Sequence, residues 1–251
     1  MGMTGFDGDR LVEDLMAAKT SKTRFSALTR GLAAIGLDTI NYGVFGPGVD
    51  DLAEAEVQFL TTMRDDWMAY YYDRNLSARD SHVMRIRAGK ITPYVWGESV
   101  IARLDAPERQ TALEGIEAGL RSTLCVPLTG PRDAFTPVGA INLGSSLPEA
   151  EFRAIVGEHG ATLINLAHLF HAASLREVWR DQAGCEALSG RERDCLQHLA
   201  AGQRHDAIAH KLGLARVTVE SHLRRARQKL GARTLGEAIA NGLLFGEISH
   251  G

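Results

Sequence analysis

The sequence predicts an α+β protein in two parts, and three observations carry that reading. In residues 1–179, helical periodicity at both ends flanks strand-like alternation in the middle, the pattern of an α-β-α sandwich built on an antiparallel sheet. From Leu188 onward only helical patterns recur, as four short helices in a helix-turn-helix arrangement. Between the two, Arg180-Asp181-Gln182-Ala183-Gly184 has the look of a linker, which sets the boundaries at 1–179, 180–186 and 187–251.

The elements follow in order. Residues 9–35 read as one or two amphipathic helices, with Leu11, Leu15, Phe25, Leu28, Leu32 and Ile35 available for burial, and Gly36 breaks the pattern. Thr39–Phe45 alternates as a strand. A helical stretch is expected near Glu54–Met63, leading to the aromatic segment Trp67–Tyr72. Two more strands, Ser122–Leu128 and Val138–Leu143, are separated by the turn-rich Thr129-Gly130-Pro131-Arg132-Asp133. A long helix is expected from about Pro148 to Val178.

The C-terminal part opens with Ser189-Gly190-Arg191-Glu192, a Ser-x-x-Glu capping box that satisfies backbone N–H groups at a helix start. Leu196 and Leu199 supply its apolar stripe, and Gly202 stands where a helix C-terminal glycine belongs. A second helix, Asp206–Leu212, turns Ile208, Ala209 and Leu212 inward. After Gly213-Leu214-Ala215 comes a third, from Arg216 to Leu230. Its residues Val219, Leu223, Ala226 and Leu230 make one apolar stripe. The opposite side carries Val217, Ser221, Arg224 and Gln228, flanked by Glu220 and Arg225. These suit base edges in a major groove: Arg pairs with guanine, Gln with adenine, and Val meets a thymine methyl. Arg216, Thr218 and Lys229 are better placed for phosphates. A basic amphipathic helix packed on a core would look similar by itself, so the capped helices and tight turn before it decide for double-stranded DNA.

Composition bounds the rest. The chain has 251 residues, 45% hydrophobic and 24% charged, with a net charge of −3, as expected of a globular protein. Residues 186–251 hold 10 Lys and Arg against 7 Asp and Glu, whereas residues 1–185 hold 18 against 24. A slightly basic module on an acidic domain fits nucleic-acid binding at one end only. Cys125, Cys185 and Cys195 are scattered without Cys-x-x-Cys spacing, which argues against a zinc site and suits a reducing cytoplasm. Residues 161–173 are apolar but too short to span a bilayer, so no membrane partner is expected. Gly-x-Ser-x-Gly, a phosphate-cradling glycine loop and a His pair at metal spacing are all absent from the sequence, so neither an enzyme nor a cofactor is expected.

In the N-terminal part Trp67, Tyr71, Asp80 and Trp96 stand out. Trp67 and Tyr71 are four apart and share a helix face. Indole N–H donates, a phenol donates or accepts, and a carboxylate accepts. Together these residues could hold a small neutral ligand offering carbonyl oxygens and an amide N–H. Taken singly, each could be a packing or capping residue.

At this point the sequence resembles the LuxR-type quorum-sensing regulators. The C-terminal match runs through Arg191-Glu192, Leu196, Gly202, Ile208-Ala209, Thr218-Val219, His222 and Lys229-Leu230. The N-terminal match is Trp67-x3-Tyr71 with Asp80 nine residues on, then Trp96 and Gly119-Leu120. The resemblance implies an N-acyl-homoserine lactone as ligand. Trp67 would donate to the lactone carbonyl and Asp80 would accept the ligand's amide N–H. Tyr71 would contact the acyl carbonyl, Trp96 would pack on the lactone ring, and Asn142 would be a further polar contact. It also implies a homodimer on a two-fold-related promoter site, with RNA polymerase as a further candidate partner. Departures from the family pattern are Ser81 in place of Pro after Asp80, Met63 where some members have Tyr, Ser122 where Gly is frequent, and Ala207 and Ala215 in the DNA module. An orphan regulator that binds DNA without ligand, or answers another small molecule, keeps the same motifs. A phosphorylated response regulator would need a β/α alternation that the N-terminal part lacks.

Overall fold

A computed structural model describes residues 6–46, 57–130 and 136–249. The chain divides into two compact units, Met1–Ala173 and Ser174–Gly251. The first begins with helices α1 (Gly8–Ala17) and α2 (Ser21–Ala33), started by side-chain caps at Asp7 and Thr20. Leu11, Leu15, Leu28, Leu32 and Ile35 are all buried, as their spacing predicts.

Strands β1 (Thr39–Phe45) and β2 (Val57–Thr61) are followed by α3 (Asp65–Asp73), a short 3-10 turn (Leu76–Ala78) and α4 (Ser81–Arg87). Then come β3 (Tyr94–Trp96), α5 (Glu98–Ile101), α6 (Ala106–Glu117), β4 (Ser122–Thr129), β5 (Pro137–Ser145) and α7 (Glu149–Gln182). The strands form one antiparallel sheet in the order β2-β1-β5-β4-β3.

The helix expected near Glu54–Met63 is instead the edge strand β2 over its described residues 57–61, and residues 51–56 lie outside the description. The open edge of β1 supplies backbone partners from Asn41 to Phe45, and that pairing overrides the local helical look. The turn residues Pro131, Arg132 and Asp133 also lie outside the described residues.

Side chains alternate across a strand, so β1 separates two environments. Tyr42 faces α7: its ring meets Phe170 edge-on at 5.1 Å, and its hydroxyl lies 2.9 Å from His171 Nδ1. Its row continues through Ile141 and Val126, both buried. The adjacent row is polar and crosses the whole sheet as Thr61, Asn41, Asn142, Cys125 and Tyr94. Directly opposed residues point to the same face, and this face meets the cavity described below.

Helix α7 continues through Gln182, so residues 180–182 of the expected linker are helical. Arg180 is held there by ion pairs to Asp181 and to the buried Glu247, which also accepts from Arg193 and from the Leu188 N–H. The second unit contains α8 (Gly190–Ala200), α9 (His205–Leu212), α10 (Arg216–Lys229) and α11 (Leu235–Leu244). Cys195, Leu196, Ile208, Val219, Leu223, Ala226 and Leu230 form its core. Among the described residues, no helix is long and apolar enough to cross a membrane.

Candidate ligand cavity and DNA-facing helix

Trp67, Tyr71, Asp80, Trp96 and Asn142 all line one cleft, with about 610 Å3 of empty space including its mouth. Four separate elements bring them there. Helix α3 presents Trp67 and Tyr71, whose rings lie 6.4 Å apart. Asp80 is the N-cap of α4: its Oδ1 accepts from the His82 N–H at 2.8 Å. Its Oδ2 accepts from the Tyr71 hydroxyl, also at 2.8 Å. The capping reading of Asp80 and the ligand reading therefore apply to the same carboxylate. Burial first, then the Asp80 charge and hydrogen bond, hold the Tyr71 phenol well above its usual range. Tyr71 thus stays a neutral donor.

Trp96, at the end of β3, is 2% exposed and donates from Nε1 to Ser81 Oγ at 3.2 Å. The serine that replaces the family's proline after Asp80 therefore accepts the indole proton. Asn142 lies mid-sheet, with Asn41 on one side and Cys125 on the other.

The structure adds lining residues that sequence reasoning missed. Asn41 accepts from the Thr61 hydroxyl and approaches Met63 Sδ at 3.4 Å. Phe59 meets Tyr71 edge-on at 5.7 Å. His82 is 6% exposed; its Nδ1 lies 2.8 Å from the Tyr94 hydroxyl, and its ring centroid 5.0 Å from that of Trp96. Burial holds its imidazole below the usual range, so the ring is neutral near pH 7. One signal for Asn41 was available: it is a polar residue in a strand that is otherwise apolar, threonine and glycine.

A second chamber of about 360 Å3 adjoins the first and shares Phe59, Asp80, His82 and Asn142 with it. Its further walls are hydrocarbon, from Phe45, Val57, Val83 and Ile86, together with Gly43 and Gly139. A Cβ at Gly43 would stand 2.6 Å from the Phe59 ring, so glycine there keeps the chamber open. Among the described residues, no group of His, Cys, Asp and Glu is arranged to hold a metal ion.

In the second unit the Ser189–Glu192 capping box closes reciprocally, and Glu192 is buried. Burial pushes the Glu192 carboxyl up, but hydrogen bonds from Lys229 and Ser189 outweigh it and leave the group below its usual range. Lys229 Nζ sits 2.8 Å from Glu192 Oε2. A buried carboxylate needs a partner, so the ammonium expected at a phosphate is engaged by Glu192 here. The outer side of α10 does carry the other residues read from the sequence. Val217 is 70% exposed, and Glu220, Arg224, Arg225 and Gln228 are exposed beside half-buried Thr218 and Ser221. Arg216 bridges Glu220 at 3.0 Å and Asp206 at 3.1 Å, and no side chain caps α10 at Ala215.

Comparison with known proteins completes the assignment. Residues 20–174 match the autoinducer binding domain, and residues 186–241 match the bacterial regulatory proteins of the luxR family. The chain belongs to the LuxR family of quorum-sensing transcriptional regulators. It is 24% identical over 245 residues to the transcriptional activator protein AhyR of Aeromonas hydrophila, covering 96% of this chain and 86% of AhyR. Escherichia coli SdiA shares its fold with a TM-score of 0.50 at 18% identity, covering 97% and 98% of the two chains. The N-acylhomoserine-lactone-dependent factor CepR2 of Burkholderia cenocepacia does so with a TM-score of 0.54 at 19% identity, over 68% of this chain and 95% of that one. As a LuxR-family regulator the chain acts by binding rather than by catalysis, with an α+β ligand-binding domain and an all-helical DNA-binding module.

Proposed function

We propose that this regulator binds an N-acyl-homoserine lactone in the cleft around Asp80 and binds promoter DNA as a homodimer. The observation that carries the reading is the convergence of Trp67, Tyr71, Asp80, Trp96 and Asn142 on one cleft, beside a second pocket with walls from Phe45, Val57, Val83 and Ile86. The lactone lies against Trp96, its carbonyl accepts from Trp67, and its amide N–H donates to Asp80. Tyr71 turns its donor from Asp80 to the acyl carbonyl as the amide takes its place, so Tyr71 and Asp80 each keep a partner. The acyl tail enters the apolar chamber.

On the DNA, Val217, Ser221, Arg224 and Gln228 meet base edges, with Glu220 and Arg225 beside them, while Arg216 and Thr218 meet phosphates. Homodimer contacts fall on α7 and α11, and RNA polymerase is a further partner of the DNA-bound form. The test is a thermal-shift screen against acyl-homoserine lactones of graded chain length. Octanoyl-rac-glycerol, which SdiA holds in one complex, serves as the comparison ligand. A ligand at a hundredfold excess over its Kd adds about 2.7 kcal/mol, which for a protein of this size raises Tm by roughly 5–10 °C. No shift with any lactone from folded protein rejects the reading and leaves an orphan regulator.

A further inference from the structure

Three of the four residues that line both pockets, Asp80, His82 and Asn142, are polar, whereas the other walls of the second pocket are hydrocarbon or glycine. Among the described residues, two buried side-chain atoms of these shared residues have no hydrogen-bond partner: His82 Nε2 and Asn142 Oδ1. Both residues line both chambers. Native folds leave few such atoms, and each one costs stability unless something answers it.

The chemistry of the two atoms narrows what that can be. His82 Nδ1 is already engaged by the Tyr94 hydroxyl. When Tyr94 donates to Nδ1, the ring proton sits on Nε2, which is then a donor in need of an acceptor. Asn142 Oδ1 is an acceptor. A methylene group satisfies neither atom. A carbonyl answers His82 but offers nothing to Asn142. A hydroxyl accepts from His82 Nε2–H and donates to Asn142 Oδ1, so it alone of the three satisfies both.

We propose that the natural ligand of this cleft carries a hydroxyl close to the head of its acyl chain, and that His82 and Asn142 select it. The inference rests on the acyl-homoserine-lactone reading above. The position along the chain follows from Asp80, which lines the same two pockets as His82 and Asn142. A group that reaches His82 therefore lies within a few bonds of the amide that Asp80 receives, which fits the third carbon of the acyl chain. Beyond it, Phe45, Val57, Val83 and Ile86 take an unsubstituted tail.

The experiment measures Kd by calorimetry for unsubstituted, 3-oxo and 3-hydroxy acyl-homoserine lactones of matched chain length, using the full-length protein. The 3-hydroxy series is expected to bind about tenfold or more tighter than the unsubstituted one, with the 3-oxo series between them. Asn142→Val and His82→Phe should each collapse the hydroxy-to-unsubstituted ratio toward one. His82→Phe keeps a ring against Tyr94 and Trp96. Equal or tighter binding of the unsubstituted series by the wild-type protein overturns this inference and leaves the lactone reading standing. Failure of every lactone to bind overturns both. A hydroxyl preference that survives both substitutions overturns the assignment to these two residues.

Discussion

Replacing Asp80 by Asn separates the two tasks of this carboxylate. As the N-cap of α4 it accepts from the His82 N–H, and Asn is as good an N-cap as Asp. The amide nitrogen then replaces Oδ2 and faces the Tyr71 hydroxyl, which can accept from it as readily as it now donates. The folding cost is therefore about 1 kcal/mol or less. Binding is different, because a ligand N–H would meet a donor where it met a charged acceptor. A charge-assisted hydrogen bond contributes roughly 1.5–3 kcal/mol, so lactone affinity should fall about 10- to 150-fold. Calorimetry with the ligand found in the screen reads the affinity, and a denaturation curve without ligand reads the fold. An Asn variant that melts like the wild type and binds within about threefold of it would refute the role given to Asp80. Asp80→Ala is the contrast: it removes the cap as well and should cost roughly a further 1 kcal/mol of stability.

Other consequences are as direct. Arg224→Ala should weaken specific DNA binding by about 1–3 kcal/mol and relax preference at one base pair; an unchanged footprint would move the base contact to a neighbour such as Glu220, Ser221 or Arg225. Lys229→Met should lower the melting temperature of the DNA module, because Glu192 loses its cationic partner, yet leave the salt dependence of DNA binding as it was. A salt slope lower by about one would restore Lys229 to the phosphate contacts. The buried His171 donates from Nε2 to the Thr129 carbonyl and faces the Tyr42 hydroxyl, and burial lowers its pKa to about 4. Its folded value lies below the unfolded one, so its contribution is complete above about pH 6.5 and is lost as pH falls toward 4. At pH 5 that amounts to roughly 2 kcal/mol. Denaturant melts at pH 7.5 and pH 5 should differ by at least this much, since His82 acts in the same direction, and by less in His171→Gln. An equal difference in the variant would count against the linkage.

The parts of the molecule legible in the sequence are those where short-range chemistry and tertiary structure agree. Ser189 and Glu192 cap a helix through bonds three residues apart, and the stripe Val219, Leu223, Ala226 and Leu230 is buried at its own period. Trp67, Tyr71 and Asp80 could be grouped because spacing along α3 and the family pattern point to the same side chains. What was hidden depends on partners far along the chain. Strand β2 exists because β1 offers it an edge. The polar row through Asn41, Asn142 and Cys125 comes from the register of strands separated by up to a hundred residues. The Lys229–Glu192 pair was hidden because the burial of Glu192, 37 residues away, is not visible in sequence. His82 was overlooked beside Asp80 for the same reason, since its partner Tyr94 arrives on a strand of three residues.

Cys125 sits in that polar row, completely buried beside Tyr94. Burial pushes its thiol up to about 12. At neutral pH the thiol then prevails over the thiolate, the form that reacts with peroxides and electrophiles. The sulfur at the centre of the sensing domain is therefore chemically silent. Oxidants and electrophiles that would attack a reactive pocket cysteine meet little thiolate here.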